Sequence, residues 1–200
     1  MSIQYLLIAS PLMNHSWVHN MPENNNGKTY SYDVCNQCKV TCCQDANPPI
    51  SSNRKKILTE HLKETKINIG KPFTTDDYTH PSTDKKGICT FYNQKTKRCM
   101  VHYLKPETCV AGPITFGINY NTGMVEFFLK KTSICQYAGI LFDDKSALKQ
   151  HYTVARENII ELIKELSADE LRALCKIDEP ETFKFCEEPL SPEVAKKLDL

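Results

Sequence analysis

Ten cysteines in 200 residues are the chemistry this sequence offers, and eight of them fall between positions 35 and 135. The first group reads Cys35-Asn-Gln-Cys38-Lys-Val-Thr-Cys42-Cys43; Cys89, Cys99, Cys109 and Cys135 follow singly. A C-x-x-C pair lets two thiolates reach one ion from a single turn, with backbone N–H groups left to bond the sulfurs. Cys42 or Cys43 supplies a third donor. Adjacent side chains diverge, so the two do not serve one ion alike, and Cys43 is favoured. Eight thiolates suffice for two tetrahedral four-cysteine zinc sites; four would hold one iron–sulfur cluster. The expectation is that the sulfurs of Cys35, Cys38, Cys43, Cys89, Cys99 and Cys109 converge on one region.

A chain of this length buries a core of its own and needs no covalent staples. Tyr5-Leu6-Leu7-Ile8-Ala9 is apolar, but no Lys or Arg precedes it and no small-x-small cleavage site follows, so it does not read as an export signal. The expected compartment is the reducing cytoplasm, where clustered cysteines read as metal ligands or redox groups. Cys175, beside Leu174 on a helical pattern, reads as a small core residue, and Cys186 has no evident partner. His102 forms C-x-x-H with Cys99 and is a substitute ligand; His80, before Pro81, is a weaker one. His15, His19, His61 and His151 receive no role. Between Lys85 and Lys105 lie six Lys/Arg and no Asp or Glu. Such cations would stabilise an anionic thiolate site; a solvated basic hairpin or an anion site reads equally well.

Lys+Arg is 25 against 24 Asp+Glu, for a net charge of +1, which is not the footprint of a general nucleic-acid binder. No apolar run approaches the ~18–20 residues that cross a bilayer. No catalytic motif stands out: G-x-G-x-x-G, G-x-S-x-G and H-E-x-x-H are absent, and Gly112 to Gly117 has phosphate-loop spacing with Ile118 where Lys is required. Three readings remain: a zinc- or iron-binding module whose partner is the metal ion; an iron–sulfur protein of electron transfer; and a thiol redox protein cycling Cys35 and Cys38. The last lacks the βαβ setting of thioredoxin-like pairs.

These segments resemble the YkgJ-type cysteine-cluster family, a zinc- or iron-chelating C-x-x-C-x-x-C-C domain. The matching stretches are Cys35–Cys43, Gly87-Ile88-Cys89-Thr90-Phe91-Tyr92, Arg98-Cys99-Met100-Val101-His102 and Lys105-Pro106-Glu107-Thr108-Cys109, with Cys135 as a later cysteine. The resemblance covers roughly residues 33–135. The extra residue before Cys42-Cys43 resembles an archaeal-looking subgroup; His102 stands where Tyr is common and Lys105 where Arg is common. The resemblance implies metal chelation by Cys35, Cys38, Cys42, Cys43, Cys89, Cys99, Cys109 and Cys135. Flagellin lysine methylases share such a domain, which implies protein-lysine methylation as one setting for an iron–sulfur form; this chain is much shorter.

The elements that must position these residues follow from pattern. Residues 1–30 read as a disordered or non-native extension, with Asn24-Asn25-Asn26-Gly27 as a loop. Residues 31–142 form the cysteine-cluster region and 143–200 a helical region of the same domain. Ser51 or Ser52 caps a helix with Ile57, Leu58, His61 and Leu62 on one face, ended by Gly70-Lys71-Pro72. Cys89–Tyr92 and Arg98–Val101 make one hairpin, and Ile114–Tyr120 with Met124–Leu129 a second, across Asn121-Thr122-Gly123. Pro106 opens a short turn or helix carrying Cys109. Leu148, Tyr152, Ala155, Ile159, Leu162, Ile163 and Leu166 form the stripe of a helix over about 144–166, capped by Asp143 or Asp144. Ser167 to Glu170 is a capping box and Ser191-Pro192 opens a last helix. The expected fold is α+β: a cysteine-rich half with short antiparallel hairpins packed on a helical C-terminal third.

Overall fold

Ser51 has extended backbone, and its hydroxyl accepts from Arg54 N–H, so the chain enters helix α1 at Ser52–Glu64. Leu58 and Leu62 are its buried residues. The helix stops well before Gly70, a correction to the expected end. Lys66 adopts φ 54°, and Lys66 and Ile67 N–H return to Lys63 and Leu62 carbonyls. That is a Schellman closure with Lys in the position glycine usually takes, held by Ile67 packing on the core.

The computed structural model describes residue 34, residues 42–177 and residues 181–200; the expectations for residues 1–30, Cys35 and Cys38 lie outside them. The described elements belong to one unit, Ser31–Leu200. After α1 comes an antiparallel hairpin that the sequence reading missed, β1 (Phe73–Thr75) with β2 (Thr79–Pro81). The first expected hairpin is present but shorter: β3 (Tyr92–Asn93) pairs only with β4 (Arg98–Cys99). Cys89 turns away because its own backbone is engaged elsewhere, its N–H with Cys43 O and its carbonyl with Tyr92 N–H. A 3-10 turn, His102–Leu104, leads to helix α2, Glu107–Ala111, behind Pro106.

Strands β5 (Ile114–Asn119) and β6 (Met124–Lys130) form the second hairpin as expected. Gly123 closes its turn at φ 66°, a conformation glycine adopts without steric cost. Helices α3 (Gln136–Asp143), α4 (Lys145–Glu165) and α5 (Ala168–Leu174) follow. Asp144 caps α4, and both hydrogen bonds of the Ser167/Glu170 capping box are present. The C-terminal third is not wholly helical. Strand β7 (Thr182–Pro189) adds antiparallel to β6 before α6 (Pro192–Lys197), giving the order β5-β6-β7. The period-2 signal was Phe183-Lys184-Phe185. Its outward Lys184 bonds Glu126 at 3.1 Å and Glu187 at 2.9 Å. All strand pairings are antiparallel, and the fold is α+β.

Two apolar clusters hold the fold. One gathers Val125, Phe127 and Leu129 of β6 with Ala155, Ile159, Leu162 and Ile163 of α4. The smaller one is Ile50, Leu58, Leu62, Phe73, Cys89, Phe91 and Val101. The second hairpin therefore shares its core with the helices, not with Cys43, Cys89 and Cys99. Polar bonds cross between the clusters: Arg54 Nη2 donates to Asn158 at 3.2 Å and Asn53 N–H to Glu165 at 3.0 Å.

Candidate metal centre

The chain around Cys43 is laid against the segment before β3. Cys89 N–H donates to Cys43 O at 2.8 Å, Asp45 N–H to Gly87 O at 2.9 Å, and Gln44 bridges Ile88. Gly87 permits this approach: it has φ 74°, and a Cβ there would run into Asp45 Oδ1. Cys89 and Cys99 then occupy equivalent settings at the two ends of the β3–β4 hairpin. Each is followed two residues later by a fully buried apolar residue, Phe91 and Val101. The N–H of that residue bonds the cysteine sulfur. Helix α2 brings Cys109 to the same group from the other side, packed against α4.

The thiols sense one another. Cys43 donates its proton toward Cys42; that bond, then burial, then the charges of Cys42, Cys89 and Cys99 raise the Cys43 thiol far above its ordinary value. The same bond pulls the Cys42 thiol down to about 6, with Lys105 and Lys130 assisting against burial. Burial raises Cys89 and Cys99, partly offset by the N–H groups of Phe91 and Val101. Burial pushes Cys109 up to about 12, opposed by Lys105 and reinforced by Cys42, Cys89 and Cys99. Cys42, Cys43, Cys89, Cys99 and Cys109 are thus brought within reach of one another's charge, around Lys105.

The other candidates stand as follows. Cys135 precedes α3 and packs against the helical cluster; Lys130, at the end of β6, acts on Cys42. Cys175 ends α5 as a half-buried residue packed against the helical cluster. Cys186 on β7 does have a partner, its thiol donating to Tyr152 Oη at 3.2 Å. His102 is half-buried beside Tyr103, and burial, then Lys105 and Arg98, hold its imidazole below the ordinary value. His80 is buried away from the sulfurs, between Pro81 O at 2.8 Å and Asp76 Oδ2 at 3.4 Å. Among the described residues no group of three or more His, Cys, Asp or Glu side chains is arranged to hold a metal ion.

Sequence reasoning missed Glu107. It is 2 % exposed, accepts from Ser51 Oγ–H at 2.5 Å and lies 3.7 Å from Arg54 Nε. It ties the first turn of α2, and so Cys109, to the cap of α1. The Ser51 cap was legible; its distant partner had no local signal.

A buried Cys89 and half-buried Cys43, Cys99 and Cys109, with a lysine at hand, offer the donor chemistry that thiolate metal sites use. The chain belongs to the CxxCxxCC family, "Putative zinc- or iron-chelating domain", whose sequence model matches residues 34–136, just over half of the 200-residue chain. No curated protein and no solved structure matches it. Among the described residues, no helix is long and apolar enough to cross a membrane.

Proposed function

We propose that the protein is a zinc- or iron-binding module in which Cys35, Cys38, Cys43, Cys89, Cys99 and Cys109 are the principal ligands. Cys42 and Cys135 complete the pool of eight. The observation that carries this reading is the matched pair Cys89 and Cys99, each with an N–H from the second residue on aimed at its sulfur. Such bonds orient a metal ligand and tune its charge. The donor set fits the class: thiolates suit zinc and iron, whereas oxygen ligands suit magnesium or calcium. Without an ion the raised thiols of Cys89, Cys99 and Cys109 are protonated near neutral pH, so a bound cation is what would make them anionic. Lys105 would then offset part of the negative charge.

The test is anaerobic purification of the full chain with metal analysis and a visible absorption spectrum. A colourless protein with one or two zinc ions supports the zinc form. Charge-transfer bands with iron and acid-labile sulfide in stoichiometric amounts support a cluster and the electron-transfer alternative. Less than about 0.2 metal per chain in all preparations, including reconstituted ones, refutes metal binding. Cys89→Ser and Cys99→Ser each should lower the metal content; unchanged content in both would remove them from the ligand set.

A further inference from the structure

In the C-terminal part of the chain acidic side chains are interspersed with the cations, and several pairs form. Arg156 pairs with Glu188 at 2.6 Å, Lys184 with Glu126 and Glu187, Lys131 with Glu181 at 3.4 Å, and Arg172 with Asp169 and Asp199. The hairpin beside the cysteines is different. Lys85, Lys86, Lys95, Lys97 and Arg98 are all exposed, and among the described residues none of them forms an ion pair. They are not there to neutralise sulfur either: the cations that act most on the thiols are Lys105 and Lys130. Keeping Lys95, Lys97 and Arg98 on one short hairpin, with Lys85 and Lys86 in the turn before it, is unfavourable unless solvent or a partner compensates them.

Part of this charge is gathered into a rim, in which Lys97 and Arg98 adjoin in sequence. Lys86 and Lys97 face a shared hollow of about 260 Å³ with Tyr92 in its wall. Arg98 and Lys105 both act on His102, and Tyr103 stands next to it, 85 % exposed. Tyrosine and arginine are the side chains that anchor protein interfaces. A strand of nucleic acid would want a row of stacking rings; here Phe91 is buried and Tyr92 half-buried, leaving Tyr103 alone.

We propose that this rim, Lys86–Lys97–Arg98–Tyr103, docks an acidic protein surface. Its carboxylates meet the cations and an apolar recess takes the Tyr103 ring, which places the partner beside the cysteine group. That the partner exchanges metal there rests on the function proposed above; the docking itself does not.

The experiment titrates the zinc-supplemented full chain, 15N-labelled, with a 20-residue Asp/Glu-rich peptide carrying one central Leu. A 20-nucleotide oligothymidylate at equal salt is the comparison, and zinc content is measured on each sample. The expected result is resonance shifts confined to the rim, with peptide affinity at least tenfold above that of the oligonucleotide. Lys86→Glu/Lys97→Glu/Arg98→Glu should weaken peptide binding at least tenfold, the neutral Gln triple variant several-fold, and Lys145→Glu/Lys149→Glu on α4 not at all. Tyr103→Ala should weaken it several-fold. Equal or tighter binding of the oligonucleotide, shifts elsewhere, or unchanged affinity in the charge-reversed chain overturns the proposal. Low zinc content with rim binding intact overturns the metal reading alone.

Discussion

Ser51→Ala should cost far more than an ordinary cap. Ser51 Oγ accepts from Arg54 N–H at 3.0 Å and donates to Glu107 Oε1 at 2.5 Å. Losing an N-cap costs about 1 kcal/mol. Losing a hydrogen bond to a charged group costs a further ~1.5–3 kcal/mol. Ser51 and Glu107 are each 2 % exposed, so water does not readily replace the lost hydroxyl. Glu107 Oε2 already lacks a hydrogen-bond partner among the described residues, and Arg54 Nε at 3.7 Å is too far to take over. The sum is about 3 kcal/mol. Ser167→Ala is the internal reference, because Ser167 caps α5 at the surface and bonds only Glu170; it should cost about 1 kcal/mol. Ser51→Thr retains the oxygen and should stay within ~1 kcal/mol of the parent. The assay is urea unfolding of the zinc-supplemented chain, read by helix and tyrosine signals to test two-state behaviour. Glu107→Gln and the double variant complete a cycle with an expected coupling of roughly 1–2 kcal/mol. If Ser51→Ala costs no more than Ser167→Ala, Glu107 is not held as argued.

Chelation should loosen the cysteine half first: hydrogen exchange should quicken around Cys89–Cys109 while residues 148–166 stay protected, and uniform loss would contradict a local organising role. Metal affinity should fall as pH falls, because protons on the raised thiols of Cys89, Cys99 and Cys109 compete with the ion. Cys43 is raised as well, and four released protons correspond to ~10,000-fold per pH unit, with Cys42, held near 6, adding to the slope only below that pH; a competition titration showing no dependence between about pH 6 and 8 argues against these ligands. Phe91→Ala should cost ~3–5 kcal/mol, since the ring is 1 % exposed and stacks edge-on against Phe73 at 5.7 Å; a thermal or urea measurement below ~1 kcal/mol would show that its pocket closes freely. Cys175→Ser and Cys186→Ser should leave the metal content unchanged, and a drop in either would bring the helical region into the site.

What could be read from the sequence was local. The stripe from Ala155 to Leu166, the Ser167 capping box and the Asn121-Thr122-Gly123 turn each carry their signal within a few residues, and each is where it was expected. What escaped depends on distant groups. Strand β7 exists because β6 offers an open edge, and Glu187 and Glu188 mask its alternation. The ends of β3 and β4 were overestimated because Cys89 spends its N–H on Cys43, far upstream. The cysteine spacing identified the family, whereas the second-residue N–H bonds at Cys89 and Cys99 needed coordinates.

The two apolar clusters are unequal, and that inequality bears on why thiols sit where they do. Among the described residues the helical cluster contains 17 buried side chains and the cysteine-side cluster seven, one of them Cys89 itself. Seven buried side chains at ~1.5–3 kcal/mol each give the cysteine side roughly 10–20 kcal/mol of burial. Turn hydrogen bonds such as those from the Lys86 and Ile88 N–H groups to Asp84 Oδ1, and the Ser51–Glu107 tie to α1, add local constraint without much burial. A structural thiolate–metal site contributes roughly 10–16 kcal/mol of apparent folding energy, comparable with the whole burial contribution of the small cluster. Cys43, Cys89 and Cys99 lie at or against the smaller cluster, and Cys109 on the short helix α2 that packs on α4. On this argument the proposed ion does the joining that a larger core does in the helical region, and Glu107 sets the angle at which α2 delivers Cys109 to it.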